Sequence, residues 1–278
     1  MIRQTSQTPQ SRNNNTKLEL NRIYNRDCVA GMAEIPDGSI DLIITDPPFA
    51  INFKARRSNY HRTQSRVLEG YNEIKPSDYL EFSLNWMTQA YRILKESGSL
   101  YVFSGWNNLK EVLMALDQTG FITVNHLIWQ YQFGVVTKRR FVSSHYHCLY
   151  VCKNERLRKF FPYKRFAKEA RDLNGRSLHY RDKEDVWQIK REYWTGKAKT
   201  PTKLPAEIIR KILTYSSAED DIICDPFLGS GQVAVVSQLL RRQFIGFEIN
   251  AAYYEFALKR IAETVSQSGD LFAGRATQ

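Results

Sequence analysis

Two short stretches carry residue types that could act together. Early in the chain, Asp46-Pro47-Pro48-Phe49 follows the apolar run Ile40 to Thr45. Late in it, Asp225-Pro226-Phe227-Leu228-Gly229-Ser230-Gly231 follows the run Asp221 to Cys224. An Asp carboxylate and a neighbouring free carbonyl together accept both hydrogens of an amino group on a planar ring, and a Phe can stack on that ring's face. Two prolines fix φ and lack donors, so 47–48 reads as a stiff, outward-facing stretch with uncommitted carbonyls. The tetrapeptide is thus a receptor for an exocyclic amine. Taken alone it reads more readily as an Asp-Pro-Pro turn ahead of a core Phe, and only the second stretch tips the balance.

In that second stretch Gly229 and Gly231 permit a tight turn and close backbone approach to a ligand, and Gln232 to Leu240 continues as a buried helix. The strand Gln243 to Phe247 then delivers Glu248, an acid placed to accept hydrogen bonds from ribose hydroxyls. The spacing does not say which nucleoside. By itself, a Gly-rich turn after a strand is as often plain structure as a ligand site.

These loops need elements to position them. Both apolar runs are rich in β-branched residues and end at Asp-Pro, as buried parallel strands do. Ligands in open α/β sheets bind outside the carboxyl ends of such strands, so the two loops are expected to face one another across one crevice. Between them, Pro76 to Leu94 has apolar and aromatic residues at helical spacing with Ser77 as N-cap, Ser99 to Phe103 reads as a strand, and Leu109 to Gln118 as a helix. Strands near Ile122 to Trp129 and His145 to Cys152 follow. The expected fold is α/β, a mainly parallel doubly wound sheet covered on both faces.

With these motifs in place, the chain resembles the amino-methylating DNA methyltransferases, in the β-ordered group whose catalytic motif precedes the cofactor motif. The likeness runs from about Asn21 to Ile261. Asp46, Pro47, Pro48 and Phe49 match the catalytic tetrapeptide. Phe227, Gly229 and Gly231 match the Gly loop for S-adenosyl-L-methionine, which also holds Asp225 and Ser230, and Glu248 matches the ribose-binding acid. Asn25-Arg26-Asp27-Cys28 resembles the entry segment, with Asp27 at the position that faces the cofactor's adenine. Thr200-Pro201-Thr202-Lys203-Leu204-Pro205 resembles a motif touching the methionine end. It departs from the usual His at its start and Gln-Lys before the last Pro, so Thr202 carries over and Lys203 does not. The resemblance implies a circularly permuted S-adenosylmethionine methyltransferase fold with a small DNA target-recognition insertion. It implies direct methyl transfer to the amino group of a flipped base. Adenine N6 is favoured over cytosine N4, because the tetrapeptide starts with Asp.

Composition agrees with a polyanionic partner. The chain has 278 residues and a formal net charge of +11, and each neutralised phosphate adds affinity through counterion release. The absence of a long apolar run or signal-peptide pattern points to a cytoplasmic, nucleoid-associated protein and away from membranes. Beside double-stranded DNA, the expected partners are a second copy of the chain in a homodimer and a cognate restriction endonuclease that forms no stable complex with it. Cys28, Cys148, Cys152 and Cys224 read as small hydrophobes. Cys148 and Cys152 near His145 and His147 lack a second ligand pair at zinc spacing, so no metal is expected. No Cys follows a Pro, which removes the nucleophile of carbon-5 cytosine methylation.

The division expected is a flexible arm at 1–17 and a methyltransferase domain at 18–278. The domain splits into a catalytic-side half at 18–153, a target-recognition region at 154–193 and a cofactor-side half at 194–265. Two basic segments interrupt the α/β rhythm. Ile51 to Tyr71 interleaves Lys54, Arg56, Arg57 and Arg62 with aromatics, which suits clamping the backbone near a flipped nucleotide. Asn154 to Tyr193 is rich in Arg and Lys, Arg165 and Arg171 among them, and holds the family's recognition position. An RNA methyltransferase or a non-catalytic DNA-binding protein on the same scaffold fits parts of the pattern; the motif order speaks against the first and the retained Asp46 and Gly loop against the second.

Overall fold

The computed structural model describes residues 18–48, 74–131, 138–139, 141–192 and 203–273. The expected N-terminal arm and the basic segment after the tetrapeptide lie outside these residues. In chain order the strands are β1 (Arg22–Tyr24), β2 (Ile40–Thr45), β3 (Leu94–Ser104), β4 (Ile122–Gln130), β5 (His145–Cys152), β6 (Val186–Gln188), β7 (Ile222–Asp225) and β8 (Gln243–Phe247). The helices are α1 (Cys28–Met32), α2 (Tyr79–Ile93), α3 (Leu109–Gln118), α4 (Leu178–Asp182), α5 (Ala206–Ser216), α6 (Gln232–Leu239) and α7 (Ala251–Ala273).

One eight-stranded sheet runs β1-β8-β7-β2-β3-β5-β4-β6. Its pairings are parallel except where β5 meets β3 and β4, so β5 alone among the described strands opposes the rest. Every residue of β2 is buried. Ile43 points into a core with α2 and α3, whereas Leu42 and Ile44 point into a second core with α5 and α6. Both faces are therefore covered, as a continuous apolar strand requires. On α2, Trp86, Met87, Ala90 and Ile93 form a fully buried stripe; each large side chain contributes roughly 2 kcal/mol by leaving water.

The expected boundaries hold with small shifts. Leu94, the last residue of the helical stripe, is already the first of β3. Ser77 does not cap α2: it sits in a 3-10 turn, Pro76–Asp78, and its hydroxyl donates to Asp78. The segment after β5 also differs from a free-standing module. Its strand β6 pairs with β4 and extends the main sheet.

Chain direction creates the site. From β7 the chain passes through α6 to β8, toward one edge; from β2 it passes through α2 to β3, toward the other. Neighbours β7 and β2 are therefore the switch point, and a crevice opens beyond their carboxyl ends.

Candidate active site

Asp46 leaves the end of β2 at this crevice. Pro47 behind it is buried and Pro48 half-buried, so the pair lies inward, contrary to the outward-facing stretch expected. Asp46 Oδ1 is sealed from solvent and has no hydrogen-bond partner among the described residues. Burial pushes this carboxyl from an ordinary 3.8 up to about 7. An acceptor held in place, stripped of water and left unsatisfied costs free energy until a donor arrives. Phe49 lies outside the described residues.

Across the strand boundary, Thr45 Oγ1 donates to Asp225 Oδ1 at 2.9 Å, and the Phe227 N–H donates to the same oxygen at 3.1 Å. Asp225 is also raised to about 7, by burial first, with Asp46 and Glu248 pushing in the same direction. The loop that follows turns on Gly229 and Gly231, both left-handed with φ of +53° and +77°. A side chain at Gly231 would put Cβ 2.9 Å from that of Ala257 on α7, so the loop needs both the conformation and the close approach. Phe227 rests on α2, its ring 5.6 Å from Phe82 and edge-on to Trp86 at 5.5 Å.

Glu248, at the end of β8, accepts from the Gly229 N–H and the Asn250 N–H, each at 2.8 Å. Its pKa is raised by burial against those donors. One carboxylate thus pins the Gly loop to the next strand and retains lone pairs for hydroxyl donors. The entry segment arrives beside it, because Asn25 Nδ2 donates to the Glu248 carbonyl at 2.7 Å and to that of Ile249 at 3.2 Å. Asp27 caps α1 through the Ala30 N–H at 3.0 Å and is exposed. Ser230 is buried in the loop, and its carbonyl accepts from Arg260. Thr202 lies outside the described residues, while Lys203 next to it is ion-paired with Glu192 at 2.7 Å.

Asp46, Asp225 and Glu248 bring three carboxyls to one crevice. Such a pocket suits S-adenosylmethionine, whose sulfonium and ammonium are cationic. The glycine turn admits its backbone-hugging portion, and Glu248 and Asp27 flank the place for a nucleoside.

The basic calls fare differently. Lys54, Arg56, Arg57 and Arg62 lie outside the described residues. Arg165 does not face solvent: its guanidinium meets Asp182 at 2.8 Å and Glu207 at 2.6 Å, which ties the segment to α5. Lys159 is spent likewise on Asp41 and Asp221, and Arg158 on the Tyr150 hydroxyl. Arg171 is exposed, donating to the carbonyls of Lys168 and Ala170. Lys164, Lys168, Arg176 and Arg181 are exposed as well.

Two groups near the crevice carried no sequence signal. Thr45 stitches the two motif strands. Tyr146 of β5 is pushed up to about 12, by burial first, with the Asp46 charge adding to it. All four cysteines are buried and free. Among the described residues no cluster of His, Cys, Asp or Glu is arranged to hold a metal, and no helix is long and apolar enough to cross a membrane.

Comparison with known proteins gives the same architecture. The Type II methyltransferase M.HpaI of Haemophilus parainfluenzae is 29% identical over 251 residues, covering 86% of this chain and 74% of that protein. M2.LlaDCHI of Lactococcus lactis subsp. cremoris is 30% identical over 237 residues, covering 83% and 85%. Among solved structures, the cytosine-N4-specific PvuII DNA methyltransferase superposes with a TM-score of 0.65 at 19% identity, covering 86% of this chain and 85% of that one. A DNA modification methylase of Thermus thermophilus, TTHA0409, complexed with S-adenosyl-L-methionine, gives 0.65 at 18% identity, covering 88% and 94%. The DNA methylase family model matches residues 40–259, spanning both motif strands. With that match over most of its length, the chain belongs to the DNA methylase family of N6 and N4 amino-methyltransferases, and it is an S-adenosylmethionine-dependent enzyme acting on DNA.

Proposed function

We propose that this enzyme methylates adenine N6 within a short duplex sequence, extruding the base into the crevice and presenting its amino group to Asp46. The observation that carries this is the sealed, unsatisfied Asp46 Oδ1 at the switch point. S-adenosylmethionine supplies the methyl group from its sulfonium. Asp46 and the Pro47 carbonyl accept the two amine hydrogens, drawing the nitrogen toward a tetrahedral form with its lone pair aimed at the methyl carbon. Phe49 stacks on the base. The methylated nitrogen must shed one proton, and a carboxylate held at about 7 is matched to receive it at neutral pH. On the donor side Glu248 holds the ribose, Asp27 faces the adenine, and Asp225, Phe227, Gly229, Ser230, Gly231 and Thr202 shape the remaining cofactor contacts.

Sequence is read by 154–192, through its exposed basic residues Lys164, Lys168, Arg171, Arg176 and Arg181 rather than through Arg165. Lys54, Arg56, Arg57 and Arg62 clamp phosphates near the extruded base. The enzyme protects the same sequence that a cognate endonuclease cuts, without forming a stable complex with it, and DNA binding keeps it on the nucleoid. A homodimer, the other assembly we propose, is tested by sedimentation.

Cytosine N4 is the second reading, since the same geometry serves both amines; the Asp-first tetrapeptide favours adenine. Modification-sensitive sequencing of DNA from an unmethylated host expressing the chain separates them. N6-methyladenine at one short motif is the expected result, and N4-methylcytosine would overturn the base assignment while leaving the chemistry.

A further inference from the structure

After β6 the chain runs into two consecutive residues, Arg191 and Glu192, whose side chains serve opposite sides of the crevice. The Arg191 guanidinium lies 3.9 Å from the centre of the Tyr131 ring and 5.8 Å from that of Tyr146. These rings stand at the catalytic ends of β4 and β5, 5.5 Å apart, with Trp129 closing the group at 5.1 Å and 5.7 Å. Trp129 and Tyr146 are direct cross-strand partners, and the Trp129 indole donates to the Ile189 carbonyl at 2.8 Å. The cluster is therefore anchored to the end of β6 and reaches the Asp46 charge through Tyr146.

Glu192 serves the cofactor side. Helix α5 starts after Pro205 with no capping side chain of its own, and its first N–H, that of Ala206, donates to Glu192 Oε1 at 2.6 Å. Oε2 is 2.7 Å from Lys203 Nζ and accepts from Gln232 Nε2 at 3.4 Å. Gln232 opens α6 directly after Gly231, and its Oε1 accepts from Arg260, which also donates to the Ser230 carbonyl in the Gly loop. A single carboxylate thereby satisfies an orphan donor of one helix, where negative charge is favoured, and orients the first side chain of the next.

We propose that Arg191 and Glu192 are positioning residues: Glu192 sets the two helix starts that shape the cofactor loop, and Arg191 sets the tyrosines beside Asp46. This rests on the functional reading above. It adds that the end of the recognition segment braces both halves of the site, so engagement of DNA by that segment and affinity for the cofactor are reciprocally linked.

The two residues should fail in different ways. In the full chain, Glu192→Gln should raise the dissociation constant for S-adenosylmethionine, measured by calorimetry without DNA, about tenfold, the loss expected when a charged acceptor becomes neutral. Its KM for the cofactor should rise in parallel, kcat on DNA from an unmethylated host should be retained, and Glu192→Asp should recover part of the affinity. Arg191→Met should leave cofactor affinity within about twofold and lower kcat instead, because it disturbs only the base side. Unchanged cofactor affinity in Glu192→Gln would overturn the proposal alone, provided the wild type binds normally. So would losses in both variants that merely track a lowered melting temperature. A wild-type chain that takes up no S-adenosylmethionine would bring down the functional reading and this proposal together.

Discussion

Asp46→Asn should make the protein harder to unfold at alkaline pH while removing methyl transfer. In the folded chain the Asp46 carboxyl is held at about 7 against an ordinary 3.8, and burial is the cause. An acid raised in this way binds its proton more tightly folded than unfolded. The folded state is thus favoured at low pH, and that advantage drains away as pH climbs from about 4 to about 7. At roughly 1.4 kcal/mol per unit, the interval from pH 5 to pH 7 is worth at most about 3 kcal/mol. Two features reduce this figure. Only Oδ1 is sealed while the residue as a whole keeps some exposure, and Asp225 shares the titration. Roughly 1 to 2 kcal/mol remains. Asparagine does not ionise, so the variant lacks this slope. Urea unfolding of ligand-free protein at pH 5 and pH 8 measures the change in the stability difference between variant and wild type, in which unrelated titrations cancel. The variant should gain on the wild type by that amount between the two pH values. An identical difference at both would refute the claim that Asp46 is ionised without compensation in the resting crevice. Wild-type methyl transfer should correspondingly decline below about pH 7, as the acceptor becomes protonated.

Glu248→Ala should weaken S-adenosylmethionine binding by roughly 1 to 3 kcal/mol in calorimetry, since it removes a charged acceptor and releases the Gly229 N–H it holds. Gly31→Ala should lower stability by roughly 1 to 3 kcal/mol or more in thermal unfolding, because the new Cβ would fall 2.2 Å from the fully buried Phe247 ring. Arg165→Ala should cost roughly 3 kcal/mol of stability by leaving Asp182 and Glu207 unmatched, with base discrimination intact. Arg171→Ala should leave stability within about 0.5 kcal/mol and weaken DNA binding, which equilibrium binding to cognate and mismatched duplexes at several salt concentrations will separate.

The sheet and its crevice are legible in the sequence because their signals are local. Asp-Pro after a β-branched run marks the ends of β2 and β7, and Gln243 to Phe247 reads as β8 from composition alone. Switch-point geometry then follows from strand direction. The illegible parts depend on partners remote in the chain. Nothing around Arg165 announces that Asp182 and Glu207 will consume its charge, 17 and 42 positions away. Thr45 looks like any strand residue until Asp225 is placed beside it. Leu94 satisfies the helical stripe of α2 and also opens β3, since a buried Leu serves either element equally well. Glu192, an isolated acid in a basic segment, gives no hint that two helix starts converge on it.

The Thr45–Asp225 bond joins residues 180 positions apart, which gives the site a timetable. At synthesis rates of roughly 5 to 20 residues per second, about 10 to 40 s separate the emergence of the amine receptor from that of the methyl-donor pocket. During that interval β2 has β3 on one flank and an open edge on the other, while β1 waits for β8, the last strand made. An exposed strand edge of this kind invites mispairing, so the interval is one in which chaperone protection would matter most. The same delay acts as a safeguard for the genome. A chain broken off before β7 holds Asp46 without any place for a methyl donor, so unfinished products are chemically silent toward DNA and only a completed chain can write on it.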